Sequence, residues 1–230
     1  MSLKKETPFK FNLSTLAIPL YSVLLLWVLL WLDFRFNLHF KNYGIYPRAA
    51  KGLIGIITSP FIHKNIEHLA HNSLPLFVML MALFYFYSSI AYKILLQGAI
   101  ILGILTWIIA RPAYHIGASG VIYLLVSFIF FSGIFSKYYR LIAVSLIVVF
   151  LYGSLVWYMF PVQEEMSWEG HLSGFISGLI LAFIYRKVLP EPEKYAWEQD
   201  TYQEDEFDAL FDNDGNFNPP KEENTEDKSE

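Results

Sequence analysis

The chain has 230 residues, of which 55% are hydrophobic and 18% aromatic, with a formal net charge of −4. That is too apolar for an ordinary soluble domain of this length and places it among polytopic membrane proteins. Cysteine is absent, which excludes a disulfide framework and any Cys-based metal site.

Crossing a hydrocarbon core of about 30 Å takes roughly 17 to 25 apolar residues. Six runs of that kind follow one another, at roughly 14–32, 66–88, 91–110, 117–136, 141–160 and 168–186. The first follows Lys4, Lys5 and Lys10, but no small-residue cleavage site comes after Trp31-Leu32-Asp33, so it reads as a retained helix. Residues 33–65 form a long connection whose Tyr, Phe, Leu and Ile content predicts packing on the membrane surface. The expected fold is all-α, a bundle of six transmembrane helices over 14–187. A short N-terminal segment, 1–13, precedes it and a tail, 188–230, follows.

Charge separates these parts. Pro190 to Glu230 holds fifteen acidic and three basic residues, a net of −12, which leaves +8 on residues 1–189. So polar and acidic a tail predicts disorder. Its "DNDG" at 212–215 is not an EF-hand, because the first ligand position falls on Leu210 and the twelfth on Lys221. Lys and Arg counts favour both termini inside: nine flank the inner helix ends and six the outer, five of those in or just after the first loop. The expected setting is a bacterial cytoplasmic membrane.

Strongly polar groups inside a membrane are costly, of order 2.5–3.5 kcal/mol for a centrally placed charge, and tend to face a cavity or a partner. Here they are not scattered. The second run opens with Glu67, His68, His71 and Asn72, the fourth with Ser119, and the sixth with Glu169 and His171. In an alternating topology these three helices run the same way, so their polar ends meet at one depth, the outer one. His68 and Asn72 are spaced to share a helix face, as are Ser119 and Tyr123. A helix N-terminus beside Ser119 favours a developing oxyanion, and Gly117 and Gly120 keep the backbone bare there. "GHLSGFISG" in the sixth run sets Gly170, Gly174 and Gly178 four apart, a spacing that permits close helix approach in lipid. Such approach could bring the His171 imidazole within the roughly 2.6–3.2 Å reach of the Ser119 hydroxyl.

"GASG" followed by Tyr123, "HLAHN" with His63 five residues before His68, and "GHLSGFISG" together resemble the rhomboid family of intramembrane serine proteases, over residues 14 to about 187. The resemblance implies Ser119 as nucleophile and His171 as general base, a dyad with no carboxylate behind the histidine. His68, Asn72 and Ser119 would form the oxyanion hole, and Tyr123, Gly117, Gly120, Gly174 and Gly178 would support the site. It implies substrates that are transmembrane proteins, cleaved near the outer membrane face, with no cofactor, metal or nucleic acid. Many rhomboids carry a Trp-Arg pair in the first loop; here "YGIYPR", 43–48, takes that place.

Blander roles suit other residues. His71 reads as structural, His39 and His115 as surface histidines, Glu67 and Glu169 as groups at the outer water interface, and Trp157 and Trp168 as members of an aromatic belt. Two other functions are weighed. A catalytically silent rhomboid-like protein would bind or escort membrane clients, yet pseudoenzymes of this fold usually lack the serine or histidine that this chain keeps. A proton or solute carrier would need polar residues continuing inward, but the second, fourth and sixth runs turn apolar below their first two turns.

Overall fold

The computed structural model describes residues 12–151, 157–162, 166–188, 207, 210–212 and 214–217. Among them are seven α-helices and no β-strand: α1 (Leu13–Phe36), α2 (Gly55–Thr58), α3 (Ile66–Phe86), α4 (Ala91–Ile109), α5 (Ser119–Phe135), α6 (Tyr139–Leu151) and α7 (Trp168–Ile184). Helices α1, α3 and α4 are long and apolar enough to cross a membrane, while α5, α6 and α7 are apolar but shorter. The chain is an integral membrane protein with an all-helical fold. It divides into two compact units, Met1–Glu191 and Pro192–Glu230. The N-terminal lysines and nearly all of the acidic tail lie outside the described residues.

Within the first unit α5 is central. It is apolar on every face, buries Ile122, Leu124, Leu125, Phe128 and Ile129, and packs against α3, α4, α6 and, most extensively, α7. A helix hydrophobic all round belongs in the middle of a bundle. By contrast α1 packs against α3 and leaves Leu16, Leu20, Leu24 and Val28 exposed, as a lipid-facing helix does. The Trp27 indole N–H donates to Ser73 Oγ across that contact, at 3.1 Å.

The glycine spacing of the last helix has a physical counterpart. A Cβ on Gly174 would run into the Gly120 carbonyl oxygen, and one on Gly178 would lie 2.7 Å from the Phe128 backbone nitrogen. Helices α5 and α7 therefore touch backbone to backbone.

The first loop is knitted to the bundle. Ile45 and His115 exchange both backbone hydrogen bonds, at 3.0 and 2.8 Å, pinning the loop to the segment before α5. Arg48 donates its backbone N–H to the Trp107 carbonyl at 3.0 Å and its guanidinium to the Ile108 carbonyl at 2.8 Å. The Trp107 indole returns a bond to the Ala49 carbonyl at 3.1 Å. Thus "YGIYPR" grips the C-terminal end of α4, whose last carbonyls have no intrahelical donor.

The fifth apolar run does not stay helical to 160. Among the described residues α6 spans Tyr139–Leu151, and Trp157–Met159 form a 3-10 turn. In the second unit, Asp212 accepts backbone N–H bonds from Asp214 and Asn216, closing a tight turn where the sequence already excluded a calcium loop.

Candidate active site

Helix α5 begins late. Its 17 residues rise about 25 Å, roughly 5 Å less than the hydrocarbon thickness. The chain reaches it through Gly117, whose φ of +112° lies in the left-handed region that side chains avoid. The space is also taken, since a Cβ there would sit 2.7 Å from His68 Cε1. Ser119 follows as the first helical residue, so its backbone N–H has no carbonyl to bond four residues back within the helix.

Helix α7 supplies His171, which is 5% exposed. Its Nε2 lies 2.9 Å from Ser119 Oγ, and its Nδ1 lies 2.8 Å from the Tyr158 carbonyl oxygen. A carbonyl can only accept, so Nδ1 carries the proton and donates to Tyr158. Nε2 is then left with its lone pair, free to accept the serine O–H. The Tyr123 ring stacks on the imidazole, fixing its plane.

Helix α3 supplies the facing wall. Asn65 caps it, its side chain accepting the His68 backbone N–H at 2.8 Å. One turn apart on this helix, His68 is half-buried and Asn72 buried, with Asn72 Nδ2 making no hydrogen bond to any described residue. A buried donor left unpaired is costly. This one lines the same cavity as Ser119 and His171, a space of about 780 Å³ that also reaches His71, Tyr158 and Ser167.

The structure thus gathers Ser119, His171, Tyr123, His68 and Asn72 around one cavity, with Gly117 and Gly120 on the serine side. Gly174 and Gly178 lie below, at the α5–α7 contact. Glu67 and His39 are exposed, as the sequence suggested, and His71, read there as structural, is exposed at the rim.

Two assignments need correction. His115 is not a surface residue but is 5% exposed. It donates from Nε2 to the Arg111 carbonyl at 3.0 Å and accepts the Ser167 hydroxyl at Nδ1, 2.6 Å away. Burial holds its imidazole below the usual range. Glu169 is not open to water either, being 2% exposed and paired with Arg111. Opposite charges at the ends of two apolar helices could have signalled that pair.

The Tyr158 carbonyl escaped sequence reasoning, because it is backbone and no residue type announces it. His63, which the sequence placed among the family motifs without a role, accepts the Ala118 N–H at Nε2, 3.3 Å away, steadying the peptide just before Ser119. Burial and the neighbouring His68 push the His63 imidazole down to about 3, so it stays a neutral acceptor at physiological pH.

Among known proteins, the Rhomboid domain model matches residues 50–188. Uncharacterized proteins of Mycobacterium tuberculosis and Mycobacterium bovis are each 35% identical over 167 residues, 66% of this chain and 66% of theirs. An uncharacterized protein of Mycobacterium leprae is 32% identical over 166 residues, 66% of this chain and 62% of its own. The chain thus spans just under two thirds of the length of these curated relatives. With the domain match covering most of its helical bundle, this chain belongs to the rhomboid family.

Proposed function

We propose that the protein is an intramembrane serine endopeptidase that cleaves transmembrane segments of other proteins through the Ser119–His171 dyad. One observation carries the reading: His171 Nε2 stands 2.9 Å from Ser119 Oγ while the Tyr158 carbonyl claims its other nitrogen. A serine hydroxyl is a weak nucleophile until an oriented base can take its proton.

In this mechanism Ser119 Oγ attacks the substrate carbonyl as its proton passes to His171 Nε2. The oxyanion takes hydrogen bonds from the Ser119 backbone N–H and from the side chains of His68 and Asn72. Collapse breaks the C–N bond, and the imidazolium returns the proton to the departing amine. Water, deprotonated by His171, then attacks the acyl-enzyme and frees Ser119. A substrate helix must unwind before its carbonyl is accessible, so substrates with Gly, Ser or other weak helix formers near the scissile bond are favoured.

With both termini inside a bacterial cytoplasmic membrane, the cavity opens to the outer face. Single cysteines placed at Asn42 and Ser88 of this cysteine-free chain test that orientation. A membrane-impermeant thiol reagent labels the first and spares the second in intact cells; the reverse pattern overturns it.

The direct test of the activity is a fluorophosphonate probe applied to the protein in membranes. Wild type is labelled at Ser119, and both Ser119→Ala and His171→Ala abolish labelling with little change in expression or thermal stability. Failure of wild type to react, under conditions where an active control does, gives the protein a client-binding role instead.

A further inference from the structure

Ser119 and His171 lie 52 residues apart in the chain, and their spacing must be held from both sides. Below the dyad the backbone contact of α5 and α7 does this. Above it, residues 111–115, on the segment that delivers Ser119, meet residues 166–169, which begin the helix carrying His171. Glu169 Oε1 accepts the Arg111 backbone N–H at 3.2 Å. The Arg111 guanidinium lies 3.6 Å from the same oxygen and donates to the Met166 carbonyl at 2.6 Å. His115 joins Arg111 to Ser167 alongside. From the other end of the same residue, the Glu169 carbonyl accepts the Ser173 hydroxyl at 2.7 Å, tying it down into α7.

Not all of these contacts weigh equally. The Arg111 side chain is 37% exposed, so its ion pair is largely screened by solvent. The carboxylate is 3% exposed, and its bond to a backbone N–H sits where water does not compete. Among the described residues Glu169 Oε2 has no hydrogen-bond partner, so Oε1 does the joining.

We propose that Glu169 is a positioning residue, whose Oε1 fixes the segment before Ser119 against the first turn of α7 and so sets the Ser119–His171 distance. This rests on the dyad reading above for its catalytic meaning, though not for its geometry. A displacement of about 1 Å costs an enzyme on the order of 100-fold. Glu169→Ala is therefore expected to lower kcat by about 10- to 100-fold, with KM changed less than about twofold. Glu169→Gln keeps an oxygen acceptor and stays within about threefold of wild type, as does Arg111→Ala, which keeps the backbone donor.

The test pairs turnover of a transmembrane substrate with 15N NMR of histidine-labelled full-length protein, the His171 signals being identified by their loss in His171→Ala. Ser119→Ala supplies the Nε2 resonance of the broken dyad bond. In Glu169→Ala the Nε2 resonance moves toward that position, while in Glu169→Gln it stays at the wild-type position. Glu169→Met, which fills the volume without an acceptor, replaces the alanine variant if that one does not fold. The proposal is overturned if the resonance and kcat of Glu169→Ala match wild type, whatever happens to its melting temperature. It is also overturned if Glu169→Gln moves as far as Glu169→Ala. A wild type inert to fluorophosphonate that still shows these NMR shifts removes the hydrolase reading and leaves the positioning role standing.

Discussion

The phenol ring of Tyr123 lies almost flat against the imidazole of His171, with centroids 4.3 Å apart and planes 18° from parallel. Tyr123 follows Ser119 by one helical turn, so the helix that presents the nucleophile also presents the surface on which the base rests. Such aromatic pairs are worth about 0.5–1.5 kcal/mol beyond the area they bury. Tyr123→Phe keeps the ring and should hold kcat within about threefold of wild type. Tyr123→Ala should lower kcat by about 10-fold, the upper end of that energy range, with KM nearly constant. Equal kcat for the phenylalanine and alanine variants would show that stacking does not orient the base.

The α5–α7 contact makes a steric prediction. The Cβ added by Gly174→Ala meets the Gly120 carbonyl, which is backbone and cannot rotate aside. The helices must part, at a cost of about 1–3 kcal/mol for overpacking. Both the melting temperature and fluorophosphonate labelling are expected to fall. Gly98→Ala is the comparison and should cost less, because its nearest contacts are Leu124 side-chain carbons and not a backbone carbonyl. A Gly174→Ala protein with the melting temperature and labelling of wild type contradicts the close approach.

Asn72 separates catalysis from stability unusually well. Its Nδ2 is buried with no hydrogen bond to any described residue, so removing it breaks no bond within the described fold. Asn72→Ala should therefore leave the unfolding temperature unchanged or slightly raised. If the amide donates to the oxyanion, kcat falls by about 10- to 1,000-fold with KM little altered, the upper end matching loss of one donor elsewhere. A destabilised variant with full kcat removes Asn72 from the oxyanion hole.

His63 carries a pH signature. Its folded imidazole titrates near 3, below the ordinary value of 6.5, so the unfolded chain binds the extra proton first. The stability it confers is complete above about 6.5 and is lost as pH falls toward 3, by at most about 1.4 kcal/mol per pH unit. His63→Gln offers the Ala118 N–H an acceptor that does not titrate. Its melting temperature should decline less between pH 7 and pH 5 than that of wild type. Parallel curves would mean that His63 does not couple to the fold in this way.

Much of this was legible in the residues themselves. The all-helical membrane fold follows from apolar run length, and the meeting of Ser119, His68, Asn72 and His171 follows from polar groups placed where lipid tolerates few. The glycine spacing of α7 reads correctly because only glycine lets two backbones touch. Legibility ends where backbone atoms take over. Nothing in the letters "WYM" says that Tyr158 leaves the helix and aims its carbonyl at His171. Glu169 and His115 misled for a related reason: a charged or titratable residue near a helix end looks wet until its partner in another loop is known.

The carbonyl of Tyr158 has one more consequence. Behind the histidine stands an electroneutral acceptor, so the resting Ser119–His171 pair carries no formal charge. A permanent anion hydrogen-bonded there, within the thickness of a bilayer, would forfeit several kcal/mol of hydration for as long as the protein existed. In the proposed reaction, charge separation instead arises only when a substrate is engaged and vanishes when the proton is handed on. The solvation debt is transient, owed by each turnover and never by the idle protein.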